Sequence, residues 1–168
     1  MSVKEQKETF GELLSETLGD SCDYETVVSI HENLNEWIEE KKDLPEPPTL
    51  TKPEVKNLLM QSGAPDEVME HFEERFDSTA GEDTSFLATN LTNTKAMEVR
   101  TPDVIVKISP EKAALMETRV IDGCSYLMIQ IDDYIEVNGV PIKAGEVKDS
   151  SSLTESKTPL QATGDQTC

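Results

Sequence analysis

The apolar positions of this chain follow two different rhythms. From Met1 to about Glu82 they recur at helical spacing, every three to four residues. Phe10, Leu13, Leu14 and Leu18 form one stripe, and Gly19 follows as a helix stop. Asp23 is positioned to cap a second helix, on which Val27, His31, Leu34, Trp37 and Ile38 share a face. Leu44-Pro45-Glu46-Pro47-Pro48 breaks it, because proline lacks the amide donor and fixes φ. Thr51-Lys52-Pro53-Glu54 reads as a capping box with proline in the first turn, opening a helix that carries Val55, Leu58 and Leu59. Ser62-Gly63 ends that helix. Pro65 opens a fourth, with Val68, Met69, Phe72 and Phe76 inward, so the last two helices read as a helix-loop-helix.

From about Asp83 to Ile142 the period falls to two, the signature of strands with alternating faces. Met97 and Val99 alternate before Thr101-Pro102, and Val104, Val106 and Ile108 share a face. Asp122-Gly123 lies between Glu117–Ile121 and Ser125–Ile131, and Asn138-Gly139 lies between Ile135–Val137 and Val140–Ile142. Both dipeptides are strong two-residue hairpin signals. The pattern predicts an antiparallel meander of four to six short strands. Residues 143–168 carry no aromatic residue and almost no apolar one, so they read as a disordered tail. The expected fold class is α+β: an acidic helical region (1–82), a small antiparallel β region packed with the last helices (83–142), and the tail (143–168).

Charge sharpens this picture. The chain has 34 acidic and 15 basic residues, a net charge of −19. Residues 1–82 hold 21 acidic and 7 basic residues, so most of the negative charge is helical. A surface this acidic argues against nucleic-acid binding, which needs a basic face. No apolar run approaches the roughly 20 residues of a membrane span, and the charged N-terminus does not resemble a secretory signal. Cys22, Cys124 and Cys168 are widely spaced, with no Cys-x-x-Cys pair, and read as free thiols in a reducing cytoplasm.

A family resemblance emerges from the sheet region. Asn90-Leu91-Thr92-Asn93-Thr94, Thr101-Pro102-Asp103-Val104-Ile105-Val106-Lys107, Glu117-Thr118-Arg119-Val120-Ile121-Asp122-Gly123 and Ile135-Glu136-Val137-Asn138-Gly139 together carry it. With the helical run from Thr17-Leu18-Gly19 through Cys22-Asp23 to His31-Glu32, they resemble the C-terminal part of the bacterial domain-of-unknown-function family 4317, over roughly residues 1–142. The resemblance implies a bacterial, cytoplasmic setting and no known activity, cofactor or catalytic residue. It also implies that members are longer by an N-terminal half, which makes this chain resemble a truncated or split member.

Candidate chemistry is sparse. Glu98 and Arg100 share one strand face, with Asp103 about two steps on and Glu117 on a later strand. Carboxylates on neighbouring strands can hold Mg²⁺ or Mn²⁺, with a cation such as Arg100 beside a phosphate ester. The plainer reading is an exposed Glu98–Arg100 pair before a turn capped by Asp103, and surface pairing of Glu117 with Arg119. Asp132 and Asp133 lack the spacing of a calcium loop. His31 and His71 have no recognisable nucleophile partner, and nothing in the sequence brings Cys22 or Cys124 to either. Trp37 completes a helical stripe, yet tryptophan also anchors interfaces.

The leading expectation is therefore a non-catalytic interaction module that uses an acidic helical surface to dock a protein partner, or the missing half of its own family. No cofactor is expected. The alternative is a divalent-metal enzyme acting on phosphate esters, with Glu98 and Asp103 as metal ligands and Mg or Mn as its ion. A third reading is a family fragment without independent function.

Overall fold

The computed structural model describes residues 1–143, so all of the expected tail beyond its first residue, Lys143, lies outside the described residues, as does Cys168. The chain divides into two compact units, Met1–Ala113 and one beginning at Ala114.

The first unit is built on helices. α1 (Val3–Leu18) opens with a capping box: the Ser2 amide donates to the Glu5 carboxylate at 2.6 Å, and the Glu5 amide donates to Ser2 Oγ at 3.2 Å. A short 3₁₀ turn, Gly19–Ser21, leads to α2 (Tyr24–Lys41), whose N-terminus Asp23 caps by accepting from the Thr26 amide at 2.8 Å. β1 (Thr49–Leu50) follows the proline segment. α3 (Lys52–Gln61) begins with the expected capping box, the Thr51 amide donating to Glu54 at 2.6 Å. The expected fourth helix is two pieces, α4 (Asp66–Met69) and α5 (Phe72–Thr79), separated at Glu70-His71. Beyond them come β2 (Phe86–Leu87) and a one-turn helix, α6 (Ala88–Leu91), that the pattern did not predict. β1 and β2 pair antiparallel, Leu50 opposite Phe86. The unit also contains the hairpin of β3 (Met97–Arg100) and β4 (Ile105–Ile108).

The core of the first unit is drawn mainly from its helices. It joins Phe10, Leu13, Leu14 and Leu18 of α1 to Ile30 and Leu34 of α2, and to Val55, Leu58 and Leu59 of α3. Met69, Phe72, Phe76, Phe86, Ala88 and Leu91 complete it with Leu50 and Ala64. No residue of β3 or β4 belongs to this cluster of described residues. All four phenylalanines of the chain meet inside it. Phe86 stands edge-on to both Phe10 (ring centroids 5.6 Å apart) and Phe76 (6.1 Å), and Phe76 lies 5.9 Å from Phe72. Aromatic residues are few, and concentrating the phenylalanines gives the first unit one core, to which the β1–β2 pair contributes Leu50 and Phe86.

The second unit carries two further hairpins. β5 (Met116–Ile121) pairs with β6 (Cys124–Ile129), and β7 (Ile135–Val137) pairs with β8 (Val140–Ile142). The antiparallel strands expected from the alternation are present, arranged as separate two-stranded pairs. Both predicted turns have positive φ at both central residues: Asp122 (51°) and Gly123 (81°), Asn138 (49°) and Gly139 (82°). Those signs fit the type I′ turn, whose twist matches that of the strands it joins. The division between the two units falls after Ala113.

Candidate functional site

The first unit contains a cleft of about 740 Å³ formed by α1, the start of α2, the segment after α6 and strands β3 and β4. Val27 and Val28 of α2, Leu91 of α6, and Met97 and Val99 of β3 give it an apolar lining. The α2 stripe read from the sequence is thus divided by function. Ile30 and Leu34 are fully buried in the core, while Val27 and His31 face the cleft half-buried.

Glu98 and Arg100 line this cleft and interact as expected from their shared strand face: Arg100 donates to one Glu98 oxygen from Nη2 at 2.7 Å and from Nε at 3.2 Å. That bond, helped by the charges of Lys107 and Lys7, holds the Glu98 carboxyl below the usual carboxylate range. Lys107 lies directly opposite Glu98 in the β3–β4 register. Asp103 is in the turn beyond β3 and does not cap it. Thr101 does, its hydroxyl accepting from the amides of Asp103 (3.3 Å) and Val104 (3.0 Å). Glu117 belongs to the second unit, where its carboxylate accepts from Arg119 Nη2 at 2.6 Å. Among the described residues no group of three or more His, Cys, Asp and Glu side chains is placed to hold a metal ion. Asp132 accepts from Gln130 Nε2 at 3.2 Å in a turn, and His71 is exposed beside Glu74.

The structure does bring Cys22 and His31 to one cleft, a meeting with no signal in residue spacing. They do not form a nucleophilic dyad. The His31 ring is bonded through Nδ1 to Thr92 Oγ1 at 3.0 Å, and Thr92 donates in turn to Asn35 Oδ1 at 3.3 Å. Burial pushes the Cys22 thiol up and the His31 imidazolium down, so both groups favour their neutral forms. An activated cysteine needs the opposite shift. Cys22 is a free thiol, whereas Cys124 has a partner, so the free-thiol reading applies to Cys22 alone of the two.

Trp37 packs partly against the core and receives Lys41 Nζ over its ring at 5.1 Å. It borders a shallow groove between α2 and α3 whose rim carries Glu36, Glu40 and Glu54.

The second unit offers a different surface. In the β7–β8 register Ile135 opposes Ile142 and Val137 opposes Val140, so one face of the hairpin consists of four aliphatic side chains. Val137 is 54% exposed and Val140 61%. On β5–β6, Val120, Ile121, Tyr126 and Ile129 are exposed as well, and Met116 is the unit's one buried strand residue among those described. The alternation that revealed these strands also contained the signal: both rows of β7–β8 that share a face are apolar.

The family model described as Domain of unknown function (DUF4317) matches residues 1–140, nearly the whole described chain. No curated protein and no solved structure matches. No helix among the described residues is long and apolar enough to cross a membrane.

Proposed function

The chain belongs to the domain-of-unknown-function family 4317, and on that footing we propose that it is a non-catalytic interaction module that docks a basic protein partner. The observation that carries the reading is an aliphatic face, with Val137, Val140 and Ile142 exposed beside half-buried Ile135, on a hairpin that pairs with no other strand among the described residues. A lone hairpin is at best marginally stable in water, and a row of exposed β-branched side chains with open strand edges invites pairing with another chain. Charge selects the partner's chemistry. A net charge of −19, most of it on the helices, repels a second copy and draws in a basic surface from a distance. The acidic groove beside Trp37 supports the same choice. The engaged state of the cleft's acidic and neutral groups supports binding over catalysis. The family resemblance supports a bacterial cytoplasmic setting.

The test compares affinity capture by the full chain with capture by the double variant Val137→Asp/Val140→Asp, followed by reconstitution with the purified candidate. The expected result is one basic protein held by the parent chain and lost by the variant, with affinity that falls as salt rises. Equal capture by both chains, an acidic partner, or a homodimer that forms at micromolar concentration would each overturn the reading.

A further inference from the structure

The cleft in the first unit reverses the sign of the molecule around it. Its charged lining is Lys7, Arg100 and Lys107 against Asp23 and Glu98, in a chain whose acidic residues outnumber its basic ones more than twofold. Both carboxylates are already engaged, Asp23 on the Thr26 amide and Glu98 on Arg100. Among the described residues, neither Lys7 nor Lys107 has an ion-pair partner within salt-bridge distance. Two exposed ammonium groups therefore line the cavity, both near Glu98 and neither in a direct ion pair.

Below that edge the lining is apolar, with Val27, Val28, Leu91, Met97 and Val99. His31 adds one directed polar group. Thr92 gives its hydroxyl proton to Asn35, so its oxygen accepts from His31 Nδ1–H, and the neutral ring is left with Nε2 as a bare acceptor. No described side chain or backbone group donates to that nitrogen. An apolar cavity with a few convergent polar groups is the usual form of a small-molecule site, and its volume falls in the usual range of roughly 300–1,000 Å³. Charge complementarity names the rest of the ligand.

The geometry points to this cleft as a binding site for a small amphiphilic anion, with its carboxylate or phosphate at Lys7 and Lys107 and its apolar body along Val28, Met97 and Val99. This site is independent of the hairpin face invoked for partner docking and stands or falls separately. Carboxylate and phosphate headgroups share the chemistry that the two lysines recognise, so the probes must separate them.

The experiment is an amide NMR titration of the full chain with decanoate, decyl phosphate, decanol and inorganic phosphate, each below its micellar concentration and at fixed ionic strength. Decanoate or decyl phosphate, or both, should bind saturably and shift the amides of Val28, His31, Thr92 and Val99. Decanol should bind about tenfold or more weakly, since it lacks the charge. The double variant Lys7→Glu/Lys107→Glu alters only exposed side chains, and in it the preference for the anion over the alcohol should disappear. The stronger of the two anions identifies the headgroup. Saturation by inorganic phosphate alone at the same strength would remove the role of the apolar lining. Decanol binding as tightly as the anions, an unchanged preference in the variant, no saturable binding by either anion, or shifts confined to residues 114–143 would each overturn the site. The hairpin variant Val137→Asp/Val140→Asp should bind the anion like the parent chain, which keeps the two proposals distinguishable.

Discussion

His31 Nδ1 lies 3.0 Å from the hydroxyl of Thr92, a residue 61 positions further along the chain. The bond fastens the middle of α2 to the segment that follows α6, and with it one wall of the cleft. It is made by a histidine that burial holds in its neutral form.

That burial has a pH consequence with a definite sign. The folded-state pKa of His31 lies below its unfolded value, so below about pH 6.5 the unfolded chain takes up a proton that the folded chain does not. Stability should fall as pH drops through that value. Urea unfolding at pH 7.5 and 5.5 checks it: the parent chain should lose more stability between these values than His31→Gln, which has nothing to titrate there. The lowered carboxyls of Asp23, Glu5 and Glu98 act in a separate window, losing their contribution only as pH falls below the ordinary carboxylate range.

Phe86 should be among the most sensitive positions for stability. It is fully buried and touches the rings of Phe10 and Phe76 edge-on, joining the α1 side of the core to α5. Phe86→Ala removes a large side chain from a packed site and should cost about 3–5 kcal/mol. Chemical denaturation should show the midpoint moving with little change in slope.

Glu98 should matter little to folding. Its bond to Arg100 is exposed, and exposed ion pairs contribute about 0–1 kcal/mol. Glu98→Gln and Asp103→Ala should therefore leave the thermal midpoint nearly unchanged. Titration with Mg²⁺, Mn²⁺ and Ca²⁺ at fixed ionic strength should give no saturable rise that depends on either residue. A rise with one ion, lost in Glu98→Gln, would favour the metal-enzyme reading.

Ser62 is a buried hydroxyl with two bonds: it donates to the Leu58 carbonyl at 2.7 Å and accepts from Asn33 Nδ2 at 2.9 Å. Ser62→Ala leaves the Asn33 amide without this acceptor and should cost about 1–2 kcal/mol. Asn33→Ala together with Ser62→Ala should cost less than the sum of the single changes, which a double-mutant cycle measures.

The β7–β8 hairpin should open far more readily than the helical core. Its amides are held by a three-residue pairing, with both strand edges free of other described strands. Hydrogen exchange at Val137 and Val140 should be faster by orders of magnitude than at Leu59 or Phe76. Gly139→Val, which forces a β-branched residue into positive φ, should accelerate it further without moving the unfolding midpoint of residues 1–113.

Local patterns were legible in the sequence because they depend on neighbours within a few positions. The caps at Asp23 and Thr51, the helical stripes and both type I′ turns follow from periodicity and backbone preference alone. The break at Glu70-His71 was not legible, since Val68, Met69, Phe72 and Phe76 keep helical spacing across it. Nor was the separation of the strands into two-stranded pairs, because alternation says that a residue has two faces and not what covers either.

The sequence by itself determined that this chain has acidic helices followed by antiparallel strands, and it supplied Glu98 and Arg100 as a pair on one strand face. Tertiary structure alone decided that the helices and the β1–β2 pair share one core around Phe10, Phe76 and Phe86. It likewise decided that Lys7, His31, Thr92 and Lys107 line one cleft. Such meetings join positions dozens of residues apart, and they are set by the packing of whole side chains, whereas sequence pattern records only the short-range periodicity of the backbone.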